Sequence, residues 1–503
     1  MEYFTKLKVA LDFIETRIAD CPSDAEVAGE VNFSLPHFRS VFRTAMGVGI
    51  ASYIRERRLF YAAFRIRNSN DSILDIALDS GFGSHEAFTR AFAKLFGSGP
   101  ADFRRNGNDI DYRVITPGIM GPVLIREKPM NQSTKELVKE NGSARLLGVR
   151  KISYQNDPVE VTPFPSALLS CLLYMDRSVS YEQLLCASGA AFRLMWNTTM
   201  WDGGNVDITY LRDDFFEPLR RACHAAGFEL NMLHRAENGH NTKLTEGVKT
   251  GSRSDFLEMI KTEINAGRPL VGFGIIGPPE GCVISGYFND GSELCGWNFF
   301  QGMPEFSGNI AVTEEGYFVK PAWYENPDTM GVLALDRQRP LPEPRDFLKE
   351  ALGYAAEIMS PRRVRDCAGG LDAFDAWAKA ITDENEFPAS PNMDQLFERL
   401  TCHADACTMV GEGRWYASTW TARMAADFPE AAEALNKLSV LFRKTHDQVW
   451  KLWDLIGGIG MGQTQARNLA KADVRRKSAA IIRTIRGIEE QCIPLLREAA
   501  VKL

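Results

Sequence analysis

A pattern in the first hundred residues repeats after fifty positions. Ser34, Phe38, Phe42 and Gly47 recur as Ser84, Phe88, Phe92 and Gly97, and upstream Ala28 in "EVAGEVNF" answers Ala77 in "DIALDSGF". Each copy reads as a short helix, a tight turn, and a second helix that a serine caps at its N-terminus. Paired units of this kind predict two helix-turn-helix motifs in one small all-helical domain.

On a wheel of 100° per residue, Phe38, Val41 and Phe42 share one face of the first second-helix, and Phe88, Ala91 and Phe92 share one face of the other. These are expected core. Pro36, Arg39, Ser40 and Arg43 fall on the outer face of the first copy, and His85, Glu86, Thr89 and Arg90 on that of the second. In a helix-turn-helix this is the edge that enters a DNA major groove. Between the copies, "IASYIRERRLFYAAFRIRNS" is helical and rich in arginine. Arg57 is expected to meet backbone phosphates, which position a protein without reading sequence.

The charge distribution agrees. Residues 1–106 carry 14 basic and 13 acidic residues, the rest 44 and 52, for a net −7 overall. Nucleic-acid contact is therefore local and N-terminal, and a general polyanion binder is excluded. No apolar run reaches the roughly 18–20 residues of a membrane span. Ten scattered cysteines predict reduced thiols and a cytoplasmic location.

The segment from about 8 to 106 resembles the AraC/XylS DNA-binding domain. The carrying stretches are "EVNFSLPHFRSVFRTAMG", "YIRERRLFYAAFRI" and "SILDIALDSGFGSHEAFTRAFAKLFGSGPADFR". The resemblance implies seven helices, with two helix-turn-helix units joined by a long helix and reading successive major-groove segments of double-stranded DNA. By position, the base-reading candidates are Pro36, Arg39 and Ser40, then His85, Glu86, Thr89 and Arg90. Pro36 departs from the larger or polar residues common there, so the first unit is expected to read fewer bases. For a regulator of this kind RNA polymerase is a further expected partner.

The chain is too long for one core. Four regions are expected: 1–107, a linker over 108–145 with a strand or two, an α+β domain over 146–340, and a helical domain over 341–503. In the α+β part, "DFLEMIKTEINAGRPLVGFGII" reads as helix, glycine turn and buried strand, and "GCVISGYFNDGSELCGWNFF" as a hairpin with an Asn-Asp-Gly turn. Together with "SYEQLLCASGAAFRLMW" and "GRWYASTWTARMAADF", these stretches resemble the papain-like fold of the C39-peptidase type, and more closely the butirosin-biosynthesis-protein-H-like domain. That resemblance implies a cysteine nucleophile opening the first helix and a histidine opening the hairpin. Here "TPFPSALLS" has no cysteine and "EGCVISGY" no histidine, so the fold is expected without its chemistry. Cys402, His403 and Cys407 of "CHADAC" supply three ligands at a spacing that matches no zinc site. No metal, cofactor or catalytic residue is assigned.

A cleft without chemistry still binds ligands. The lining candidates are Trp196, Trp201, Asp202, Asp207, Glu280, Cys282, Trp297 and Phe299, which the resemblance implies lie together over the former active site. Aromatic rings with carboxylates suit a cationic amphiphile. The sequence thus predicts a one-component transcription regulator with an N-terminal DNA reader and a C-terminal small-molecule sensor. The alternative is a cysteine acyltransferase or hydrolase tethered to a DNA-binding module.

Overall fold

The structure, a computed structural model, describes residues 22–31, 50–68, 71–82, 84–96, 98–106, 135–154, 159–202, 208–235, 244–308, 310–388 and 392–503, with isolated positions before 50. It divides into two compact units, Met1–Asn131 and Gln132–Leu503.

In the first unit the repeat folds as a repeat. Helix α1 (Asp24–Glu30) opens on a capping box: Glu26 N–H donates to Ser23 Oγ at 3.2 Å, and Ser23 N–H to the Glu26 carboxylate at 2.8 Å. Helix α2 (Ile50–Asn68) links the copies, followed by α3 (Ile73–Asp79), α4 (His85–Phe96) and α5 (Pro100–Asn106). The turns match bond for bond. Phe33 N–H donates to Ala28 O at 3.0 Å, and Phe82 N–H to Ala77 O at 3.1 Å. Each copy has its own apolar core, and α2 serves both. Ile50, Tyr53 and Ile54 pack with Phe38 and Phe42, whereas Leu59, Ala62, Ala63 and Ile66 pack with Phe88 and Phe92. One rigid helix therefore sets the two copies at a fixed separation.

The second unit is built on a sheet with strand order β5-β4-β11-β6-β7-β8-β10-β9. The central strands are β6 (Leu270–Phe273), β7 (Gly281–Phe288) and β8 (Glu293–Trp297). Around them lie β4 (Met232–Arg235), β5 (Val248–Gly251), β9 (Ala311–Val312), β10 (Phe318–Pro321) and β11 (Gly331–Leu333). Neighbours pair antiparallel except β4 and β5. The expected hairpin is present. Asn289, Asp290 and Gly291 all take positive φ, and a Cβ on Gly291 would meet Leu257 Cδ1 at 2.0 Å.

The expected boundaries shift in two places. Strands β1 (Glu136–Glu140) and β2 (Ser143–Leu147) fall in the expected linker, yet β2 pairs with the far end of β7. At the other boundary, β3 (Met195–Asn197) forms a small sheet with β12 (Arg362–Val364) and β13 (Cys367–Gly369). Positions expected in different domains thus share backbone hydrogen bonds.

Helix α6 (Pro163–Tyr174) is buried almost all round and lies against β7, with α7 (Tyr181–Ala187) after it. Helices α8 (Glu217–Ala225) and α9 (Arg253–Asn265) complete the sheet region, and α10 (Pro344–Met359) and α11 (Leu371–Ala380) lead into the tail. There the apolar periodicity over 393–410 and 413–426 merges into one 35-residue helix, α12 (Met393–Asp427). Helices α13 (Ala432–Ile456) and α14 (Gln463–Leu469) pack on it, and α15 (Ala472–Lys502) packs on α13, α10 and α11. Among the described residues, no helix is long and apolar enough to cross a membrane.

Candidate nucleic-acid interface and ligand site

Helix α4 is anchored by rings. Phe88 and Phe92 are both 0% exposed. Phe82, Phe88, Phe92 and Phe96 form a ladder with centroids 5.2, 5.4 and 4.5 Å apart, and Phe103 closes edge-on against Phe92 at 5.2 Å. Ser84 Oγ accepts from Ala87 N–H at 3.1 Å, which fixes the start of the helix. The outer edge then presents His85, Glu86 and Arg90, all exposed. Backbone N–H and the Ser84 hydroxyl at the helix start, with His85 and Arg90 adding smaller contributions, hold the Glu86 carboxyl below its ordinary range, so it stands ionised.

Two expected contacts are corrected. Thr89 is half-buried, and its Oγ1 is closed off from solvent without a hydrogen-bond partner among the described residues, so it is not placed to read a base edge. Arg57 is only 7% exposed. It lies three and four residues after Ile54 and Tyr53, on the core face of α2, a spacing visible in the sequence. Among the described side chains of that segment, Arg55 is the exposed arginine. Other arginines are structural: Arg65 pairs with Asp71 and Asp79 at 2.7 and 2.8 Å, and Arg104 Nε donates to Ile66 O at 3.1 Å. In the first copy Arg39 is exposed and bridged to Asp24 at 2.5 Å. Pro36, Ser40 and Arg43 lie outside the described residues.

A helix-turn-helix domain model matches residues 27–106. Over 102 residues the chain is 37% identical to the transposon Tn10 TetD protein of Escherichia coli, covering 20% of this chain and 74% of that one. The chain belongs to the AraC family. Its AraC-type region is also 36% identical over 104 residues to the HTH-type transcriptional regulator YbfP of Bacillus subtilis, and 37% identical over 101 residues to the transcriptional regulator Rob of Salmonella typhimurium. These matches span 21% and 20% of this chain and about a third of each relative, 35% in both cases. Each match is about a hundred residues long, a fifth of this chain, and the domain model ends at residue 106.

In the second unit the expected ligand residues fall into two neighbourhoods. Trp196 stacks on Trp377 at 5.9 Å, and Trp201 meets Trp196 edge-on at 5.2 Å, inside the helical core cluster. Asp202 accepts from Asn197 Nδ2 at 2.5 Å. These three join the helical tail. Trp297 belongs to the sheet, donating Nε1 to Val149 O at 3.0 Å and packing on Tyr317 at 4.6 Å. Cys282 is fully buried in β7, where burial pushes its thiol up to about 12, so it is interior and not lining. Asp207 lies outside the described residues.

Phe299 and Glu280 do meet a polar cluster. The Tyr154 ring packs on Phe299 at 4.6 Å, and burial, with the charges of Glu280, Asp405 and Glu412, opposes its ionisation. Glu412 lies at the start of α6, accepting from Val161 N–H, Thr162 Oγ1 and Tyr181 Oη at 2.6, 2.6 and 2.7 Å. Burial raises the Glu412 carboxyl and these donors lower it. Burial also pushes Asp405 up to about 7. Sequence reasoning missed Tyr154, Asp405 and Glu412. Asp405 sits within "CHADAC", the very motif weighed for a metal. His403 of that motif is a core residue that accepts from Trp377 Nε1 at 3.2 Å, and burial drives it down to about 3.

The Asp405 carboxyl takes up its proton near 7 when folded and near its ordinary 3.8 when unfolded. Folding therefore binds a proton between those values, and stability falls as pH rises toward and through 7. The buried histidines His403 and His446 act in the opposite sense, and because they are half-protonated near 6.5 in the unfolded chain they still oppose this trend up to about 7.5. Between pH 6.5 and 8 the melting temperature of Asp405→Asn is therefore expected to fall less, or rise more, with pH than that of the parent. An unchanged slope in the variant would remove Asp405 as the titrating group.

Proposed function

We propose that this protein is a one-component transcription regulator of the cytoplasm. It binds double-stranded DNA sequence-specifically through α4 and its counterpart, and senses a small molecule through its C-terminal unit. The observation that carries the reading is the outer edge of α4. Exposed His85, Glu86 and Arg90 project from a helix whose opposite face is locked by phenylalanines, in a domain shared with named transcriptional regulators. Arginine at such an edge reads guanine O6 and N7.

For the C-terminal unit, the papain-like reading is supported by one juxtaposition. A Cβ on Gly281 would lie 2.8 Å from Phe164 Cα, so the strand start and the helix start that carry histidine and cysteine in that fold meet here as glycine and phenylalanine. The nine described free cysteines are all buried, which supports a sensor over a cysteine acyltransferase or hydrolase. A cationic amphiphile suits the Tyr154, Phe299, Glu280 and Asp405 neighbourhood.

Arg90→Ala is expected to cost about 1–3 kcal/mol and relax preference at one base position. Arg55→Ala is expected to weaken all sequences equally and reduce the salt slope by about 1. Selection of binding sites from a random pool, followed by salt titration, measures both. Equal losses of specific and non-specific affinity in the two variants would refute this division of roles. Thermal shifts with cationic amphiphiles, abolished by Asp405→Asn, check the sensing half.

A further inference from the structure

A second polar cluster lies away from the Tyr154 neighbourhood, where α8, α10 and β12 meet. Tyr354 of α10 is 4% exposed, and its hydroxyl is buried with no hydrogen-bond partner among the described residues. Arg362, the first residue of β12, has both Nε and Nη1 buried and likewise without partners among the described residues. Among the described residues its polar contact is Nη2 to Met195 Sδ at 3.6 Å, a weak acceptor. Two further guanidinium groups face the tyrosine ring, Arg221 at 4.0 Å and Arg212 at 5.9 Å from its centroid.

The backbone is shaped to hold these groups. Gly189 takes φ 83°, and a Cβ there would strike Tyr354 Cε1 at 2.5 Å. A Cβ on Gly369 would strike Arg362 Nε at 2.7 Å. Any larger residue would move the two side chains whose polar atoms lack partners.

The charges do not balance. Arg212 pairs with Glu217 at 3.4 Å and Glu357 at 2.5 Å, and Arg221 lies 3.9 Å from Glu217. Among the described residues three arginines thus face two carboxylates, and Arg362 is the one with no ion pair, Glu217 and Glu357 acting on it only from farther off. Burial lowers its pKa to about 10, with Arg212 adding to the same effect, so it remains charged at neutral pH. A buried cation with free donors beside a buried hydroxyl is costly unless an anion completes it. Arg212 and Glu357 keep partly exposed side chains, so the cluster reaches the surface.

We infer that Arg362 and Tyr354 form a binding site for a monoanionic carboxylate, the missing acidic partner of this three-arginine cluster. A single negative charge neutralises the excess, whereas a dianionic phosphate would overshoot it. The Arg362 guanidinium and the Tyr354 hydroxyl both donate to the carboxylate oxygens. The Tyr354 and Arg221 stack forms one wall. This site is independent of the cationic-ligand reading, because it shares no residue with it.

The test uses the full-length protein at low ionic strength, titrated with acetate, benzoate, inorganic phosphate and chloride. Melting temperature and calorimetric binding are read together. Carboxylates are expected to bind saturably and raise the melting temperature, with phosphate and chloride weaker. Arg362→Met is expected to abolish carboxylate binding while the ligand-free protein melts no lower than the parent, because an unpaired buried charge has gone. Tyr354→Phe is expected to weaken binding roughly tenfold, the loss of one hydrogen bond to a charged group. The site is overturned if no anion binds saturably, if all anions act alike, or if Arg362→Met and Tyr354→Phe bind carboxylate as the parent does. If Arg362→Met fails to fold, Tyr354→Phe alone decides: parental affinity overturns the site.

Discussion

Glu489→Ala is expected to lower the stability of the C-terminal unit by about 3–5 kcal/mol. Glu489 and Arg414 are each 1% exposed and bridged at 2.7 Å. Arg414 Nη1 also donates to Ala191 O and Arg193 O at 2.9 and 3.1 Å, and Thr445 Oγ1 donates to Glu489 at 2.9 Å. The pair thus ties α12, α13 and α15 to the turn before β3. Removing the carboxylate strands a guanidinium in the interior, and that desolvated charge accounts for the size of the effect. Replacing both partners, as in Arg414→Met with Glu489→Met, is expected to cost less than Glu489→Ala alone. Denaturant melts of the parent, Arg414→Met, Glu489→Met and the double variant form the cycle, with Glu489→Ala measured beside them. A single substitution within about 0.5 kcal/mol of the parent would show that the pair is not structural.

Phe92→Ala is expected to cost about 3–5 kcal/mol within the N-terminal unit and to abolish DNA binding with it. Phe92 touches Phe88, Phe96 and Phe103, so truncation opens a cavity at the centre of the second copy's core. The control is Arg90→Ala, which removes an exposed side chain and is expected to leave the melting transition unmoved while affinity falls. Circular dichroism of both variants separates the two causes. If Phe92→Ala melts like the parent yet loses DNA, the ring ladder is not what holds α4.

The sequence alone determined the elements whose causes are local. Serine caps, the Asn-Phe and Gly-Phe turns and phenylalanines four apart specify the helix-turn-helix copies, because capping and face-to-core packing act within a few residues. The Asn-Asp-Gly turn specifies its hairpin for the same reason, since three consecutive residues must tolerate positive φ. The burial of Arg57 was legible too: its spacing from Tyr53 and Ile54 puts it on the core face, despite its charge.

Only the tertiary structure decided the environments. Trp196 and Trp201 look like cleft aromatics until Trp377 and Phe387, nearly two hundred residues on, pack against them. Asp405 is one acid among many until burial in the folded chain moves its proton affinity to neutral pH. Arg362 looks like any arginine of "SPRRVRD" until Gly369, Met195 and Tyr354 enclose it. A side chain's charge state and free donors depend on the dielectric and partners around it. In this protein those partners come from segments far apart in sequence, brought together by the sheet and the long helices.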